Sequence, residues 1–186
     1  MTGTPLPMVP LLALFAGIVG TYLVGRIAHE RATEATGVVA VASLLAALGA
    51  TWVLWTGSLP RAYAIGGSGV GVQVTALGVF LTVVACLLGL AVAVYAMAGT
   101  DDDGAAELYH PLLLGAVAGV VGIGFAADLF SLYVFFEVMA VATYALVPFA
   151  VSRASAVEAG FKYVVMNAVG SLLAIFGISL VYAETD

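Results

Sequence analysis

One carboxylate in the middle of an apolar run holds most of the chemistry this sequence offers. Glu137 lies nine residues after Asp128 and 14 before Val151, in a stretch with no other acid between those two ends. Four- and seven-residue steps along a helix bring Tyr133, Tyr144 and Pro148 onto its face. The stripe thus holds one acid, two phenols and a helix-perturbing proline. In an apolar medium a carboxyl holds its proton more tightly, and a nearby cation loosens it. A carboxyl balanced between the two takes up and releases a proton. The same residue can also act as an anchor, locking two helices together by hydrogen bonds.

Lys162 is the second charge of interest. Ser155 and Glu158 stand at the S-x-x-E spacing of a capping box, which predicts that a helix starts at Ser155. Glu158 then lies four residues before Lys162, the spacing of an ordinary surface ion pair. Alternatively, the flexible stem of Lys162, two turns into that helix, reaches inward to Glu137 as a buried acid–base pair. Asn167, one to two turns deeper, either extends a polar path or makes a helix–helix hydrogen bond. Asp128 is expected to be the N-cap of a helix, with a place on the polar path as the other reading. His110, next to Pro111, reads as an interface residue or as a further member of that path.

The elements that must position these groups follow from composition. Of 186 residues, 63% are hydrophobic and only 16 are charged, five basic and 11 acidic. Soluble domains carry about 25% charged residues, so water is not the solvent of most of this chain. A soluble enzyme, a nucleic-acid binder and a disordered segment are excluded. About 20 apolar residues cross a bilayer, and six segments qualify: 8–25, 37–56, 72–98, 108–127, 131–151 and 157–183. The fourth and fifth form one run, 108–151, which as a single helix would be about 66 Å long. It must fold back, and residues 128–131 are the expected turn. The fold class is therefore an all-α polytopic membrane protein with six transmembrane helices in one domain.

Arg26, Arg31 and Arg153 fall on one side of this topology with Lys162 nearby, and Arg61 alone on the other. The positive-inside rule then puts both termini outside. The acidic group Asp101, Asp102, Asp103 and Glu107 lies inside. Met1 to Pro7 lacks the basic start of a signal peptide. Cys86 is the single cysteine, His29 and His110 are far apart, and no metal-ligand cluster, flavin or quinone motif occurs. No cofactor and no metal are expected. The run Gly66-Gly67-Ser68-Gly69-Val70-Gly71 lacks the lysine of a phosphate loop and reads as a flexible connection. Gly115 and Gly119, followed by Gly122 and Gly124, thin one side of the fourth span for close helix packing.

Asp128-Leu129-Phe130-Ser131-Leu132-Tyr133-Val134-Phe135-Phe136-Glu137, followed by Thr143-Tyr144-Ala145-Leu146-Val147, resembles the antiporter-like subunits. These occur in complex I, in Mrp-type cation/proton antiporters and in membrane-bound hydrogenases. The run from Glu158 through Lys162, Tyr163 and Asn167 to Gly170-Ser171 and Tyr182 fits the same family, and looks most like its Mrp D-type members. The resemblance implies a fourteen-helix fold with inverted repeats, of which this chain supplies the first six helices. It implies that Glu137 is the functional glutamate of helix five and Lys162 a lysine of helix six. It also implies an aspartate where this chain has Thr75, and a partner lysine on a broken seventh helix beyond the six.

The resulting expectation is a proton- or cation/proton-translocating subunit, or its N-terminal half, in the cell membrane. Glu137 would carry the proton, tuned by Lys162. Its partners would be the lipid bilayer and other membrane subunits of an Mrp-like, complex I-like or hydrogenase complex, including a chain supplying the missing helices. No nucleic-acid partner is expected. Catalytic chemistry is not expected in this chain alone, although the whole complex could be a redox-driven translocase. The alternative is a non-conducting structural or assembly subunit that keeps the fold.

Overall fold

Hydrocarbon offers no partner to a backbone amide, so an apolar chain crossing it must satisfy its own hydrogen bonds as helix. The computed structural model describes residues 6–28, 32–57, 62–64, 71–99, 106–147 and 154–185. After a short 3-10 turn at Leu6–Met8, six helices follow. These are α1 (Val9–Ala28), α2 (Ala32–Thr56), α3 (Ala76–Gly99), α4 (Ala106–Phe125), α5 (Leu129–Leu146) and α6 (Ala154–Thr185). All six are long and apolar enough to cross a membrane. At 1.5 Å per residue α1 spans about 30 Å and α6 about 48 Å.

Between α2 and α3 lies a two-stranded antiparallel hairpin, β1 (Ala62–Ala64) and β2 (Gly71–Gln73), with Tyr63 opposite Val72. Hydropathy extends the third span to residue 72, but α3 starts only at Ala76, because β2 occupies the first part of that run. Thr75 caps α3: its hydroxyl accepts the Gly78 amide at 3.0 Å and its carbonyl accepts the Val79 amide. Threonine and aspartate are both good N-caps, so Thr75 meets the same local need as an aspartate at that position.

α4 is the centre of the bundle. It packs on α1, α2, α3 and α5, and 56% of its span is buried, against 6% for α6, which lies on α5. Leu11, Leu14, Leu44, Leu114, Val121 and Phe125 form the fully buried core. Its buried threonines cost little. Thr21, Thr36, Thr51 and Thr82 each donate to a carbonyl four residues back in their own helix. Where α4 meets α5 the helices nearly touch. A Cβ on Gly119 would lie 2.5 Å from the Met139 amide nitrogen. The thin face expected from the glycine spacing is therefore used, with α5 pressed directly against the α4 backbone.

The helix starts correct two local expectations. α5 begins at Leu129, so the turn is 126–128 and Ser131 already sits in the first helical turn. α6 begins at Ala154, which puts Ser155 inside the helix rather than at its cap. Pro148, Arg153, His29, Arg61, Asp101, Asp102, Asp103 and the glycine run 66–70 lie outside the described residues.

Candidate functional site

The site is built on the facing sides of α5 and α6, and one edge of it is set at the start of α5. Asp128 there is extended (φ −146°, ψ 164°), and its carboxylate accepts the Ser131 amide at 2.7 Å and the Ser131 hydroxyl at 2.5 Å. It also accepts the amide of Gly71 at 3.0 Å, while the Ala127 amide donates back to the Gly71 carbonyl. Asp128 is thus a helix cap that also clamps the β-hairpin to the α4–α5 turn. It does not enter the α5–α6 seam.

Desolvation raises the Asp128 carboxyl, but the hydrogen bonds from Ser131, Gly71 and Phe130 together outweigh it and hold the group below its ordinary value. A depressed folded-state value means that the charged form stabilises the fold. That contribution is complete above the unfolded value, about 3.9, and fades as pH falls through the lower folded value. We expect Asp128→Ala to destabilise the protein by about 1 kcal/mol at neutral pH. The difference from wild type should shrink in strong acid, as read by unfolding in detergent across a pH series.

Glu137 lies two turns into α5, near the middle of the 18-residue helix, and is half-buried. Its Oε1 accepts a short hydrogen bond from the Ser171 hydroxyl of α6. The same Ser171 oxygen lies 2.9 Å from the Tyr133 hydroxyl. Further along the antiparallel pair, the Asn167 amide meets the Tyr144 hydroxyl at 2.5 Å. Tyr163 reaches Thr143 at 3.5 Å and stacks edge-on against Tyr144, with ring centroids 5.8 Å apart. The structure therefore brings Glu137, Tyr133, Tyr144 and Asn167 into one polar seam. Ser171, Tyr163 and Thr143 are its members that residue types alone did not single out. The available signal was the four-residue step Tyr163, Asn167, Ser171, which lays one polar stripe on α6.

Lys162 does not turn to Glu137. Its Nζ lies 2.6 Å from Glu158 Oε1, and both side chains are about two-thirds exposed, at 69% and 66%. The four-residue step makes them neighbours on one face, and that local pair takes the lysine that the inward reading assigned to Glu137.

His110 lies apart from the seam, fully buried where α4 meets α2 and α3. The Thr36 hydroxyl lies 2.6 Å from the Ala32 carbonyl and 3.0 Å from His110 Nδ1, and with the ring hydrogen on Nε2 it can donate to either. The other ring nitrogen faces the Ala93 carbonyl at 3.5 Å. This geometry is that of a three-helix tie. Replacing it with alanine leaves a cavity and strips partners from buried groups. We expect His110→Ala to cost about 2–4 kcal/mol in thermal unfolding without changing the groups around Glu137.

No group of three or more potential metal ligands occurs among the described residues. What the seam can do is hold and pass protons: it contains one acid, hydroxyls that both donate and accept, and an amide.

Residues 126–186 match the family described as NADH:quinone oxidoreductase/Mrp antiporter, TM. Over 176 residues the chain is 33% identical to an N-type subunit of the NADH-quinone oxidoreductase of Symbiobacterium thermophilum, covering 93% of this chain and 34% of that one. It is 31% identical to the D-type subunit of the Na(+)/H(+) antiporter of Bacillus subtilis over 105 residues, 56% of this chain and 21% of that one. It is 32% identical to the N-type subunit of the F(420)H(2) dehydrogenase of Methanosarcina mazei over 113 residues, 61% and 23% respectively. Among solved structures, a chain of the membrane-bound sulfane sulfur reductase, an archaeal respiratory membrane complex, superposes with a TM-score of 0.82. That match covers 97% of this chain and 37% of the other at 19% identity, a likeness of fold. The chain therefore spans little more than a third, or less, of the length of each of these proteins.

Proposed function

As a relative of the antiporter-like membrane subunits of NADH-quinone oxidoreductases and Mrp-type complexes, with their fold, the chain is a multi-pass cell-membrane protein of that kind, and we propose that it moves protons through Glu137. The observation that carries this reading is the hydrogen-bonded carboxylate in the middle of α5. An ionised group at that depth costs about 2.5–3.5 kcal/mol even on the mild insertion scale, and here the Ser171 hydroxyl offsets part of the cost.

The reading extends to partners. Glu137 is only half-buried, and α6 leaves Phe161, Met166, Leu172, Leu173 and Phe176 exposed. A carboxylate that bordered hydrocarbon would be unsatisfied on that side. Further helices, on this polypeptide or on another membrane subunit, would cover α6 and the open side of Glu137. A cation supplied from them would tune the proton affinity of Glu137, since the Lys162 amine is held by Glu158. Exchange of protons for a cation, or proton movement driven by a redox partner, both fit this arrangement.

A second reading has an observation of its own: the Glu137–Ser171 bond also ties α6 to α5. In that case the carboxylate only holds neighbours together. Proton-coupled exchange in vesicles carrying the host complex with Glu137→Gln separates the two. Lost exchange with normal assembly on a native gel supports the transport reading. Intact exchange supports the structural one.

A further inference from the structure

A proton carried by Glu137 needs a route to it. Glu137 Oε1, Ser171 Oγ and Tyr133 Oη form a continuous hydrogen-bonded row. Ser171 is 7% exposed, so neither the bilayer nor bulk water competes for its hydroxyl. The directions of the two bonds are fixed by counting hydrogens. Ser171 has one, and when Glu137 is ionised the carboxylate can only accept. Ser171 must therefore donate to Glu137, and its oxygen must accept from the phenol of Tyr133. Both hydrogens point toward the carboxylate. When Glu137 is protonated the row can run the other way, from carboxyl to serine to phenol oxygen.

The row also has a direction in space. Tyr133 is one turn from the start of α5 and Glu137 two turns, a rise of about 6 Å between them. The start of α5 is the end of the bundle closed by the β-hairpin and Asp128. Tyr144, Asn167 and Tyr163 lie on the opposite side of Glu137 along the seam.

We propose that Ser171 is a positioning residue that orients the Glu137 carboxylate and links it, through Tyr133, to proton entry from the α4–α5 end of the bundle. This rests on the transport reading of Glu137. In the entry step the Tyr133 O–H bond breaks as its hydrogen passes to Ser171 Oγ. The Ser171 O–H bond breaks as its hydrogen passes to Glu137 Oε1, and the phenol oxygen regains a proton from hydronium at that end, which leaves as water. One proton enters, one carboxylate is neutralised, and nothing is oxidised or reduced. Rotation of the two hydroxyls resets the row.

The test uses the host complex in membrane vesicles and, on the same preparations, a pH titration of the Glu137 carboxyl infrared band, identified as the band missing in Glu137→Gln. Removing a donor from a carboxylate makes it hold its proton more tightly. Ser171→Ala is expected to move the band's midpoint up by about one pH unit, and to slow exchange, while Ser171→Thr keeps the wild-type midpoint. Tyr133→Phe should move it in the same direction by less, and should add nothing in the Ser171→Ala background, because the phenol acts through the serine. An unchanged midpoint in Ser171→Ala, or independent and additive shifts for the two variants, overturns the proposal. The transport reading fails separately, on undiminished exchange in Glu137→Gln, and the infrared midpoints then still decide whether Ser171 orients the carboxylate.

Discussion

Membranes carrying Glu137→Gln are expected to hold the complex in normal amount and to lose its proton-coupled exchange by at least about a hundredfold, the scale set by a positioned proton-transfer group. Glutamine is the discriminating choice because of what it keeps. Its side-chain carbonyl can still accept from Ser171, so the contact that joins α6 to α5 survives. Its shape is that of glutamate, and α4 can pack against α5 as before. Only the ability to bind and release a proton is removed. Glu137→Asp keeps that ability but withdraws the carboxyl by one methylene from Ser171, and should retain part of the rate. A structural role predicts the reverse ranking, with glutamine harmless and aspartate worse. Exchange rates measured beside the amount of assembled complex decide between them, and wild-type exchange in Glu137→Gln would sink the transport reading.

The sequence and the structure agree where solvent alone decides, and part where neighbours decide. Six apolar runs of bilayer length leave the backbone no choice but helix, and six helices are found among the described residues. The depth of Glu137 follows from its distance to the ends of its run. Asp128 as a cap follows from residue type and position at a turn. The partner of Glu137 was not legible in the same way. In a soluble helix the apolar stripe tells which face turns inward, but α5 and α6 are apolar nearly all round, so their rotational phase leaves little trace in composition. Ser171 therefore leaves only the polar step Tyr163, Asn167, Ser171 as its trace, and its partner follows from how α6 meets α5. Lys162 shows the converse: the spacing allowed two partners, and the near one on its own helix took it. The β-hairpin was hidden because Gly71–Gln73 continues the hydropathy of α3, and only the Thr75 cap separates them.

Gly119→Ala, one added methyl group, is expected to be among the most damaging small substitutions in the helix bundle. A Cβ at Gly119 would sit 2.5 Å from both the amide nitrogen and the Cβ of Met139, and 2.6 Å from its Cα. These atoms belong mostly to the backbone of α5, so no side chain can rotate away. The two helices must move apart, and α5 carries Glu137 two residues before Met139. Overpacking of this kind typically costs about 1–3 kcal/mol. Separating α4 from α5 also loosens contacts along the helix that holds the seam, so the cost should lie at or above the top of that range. Gly49→Ala is the control. Nothing lies within 4 Å of a Cβ there, and alanine is the better helix former by about 1 kcal/mol. Thermal unfolding of the two variants in detergent should therefore move in opposite directions, with Gly119→Ala far below wild type and Gly49→Ala level with it or above. Equal melting of Gly119→Ala and wild type would mean that α4 and α5 do not approach this closely, and the seat of Glu137 on α5 would have to be redrawn.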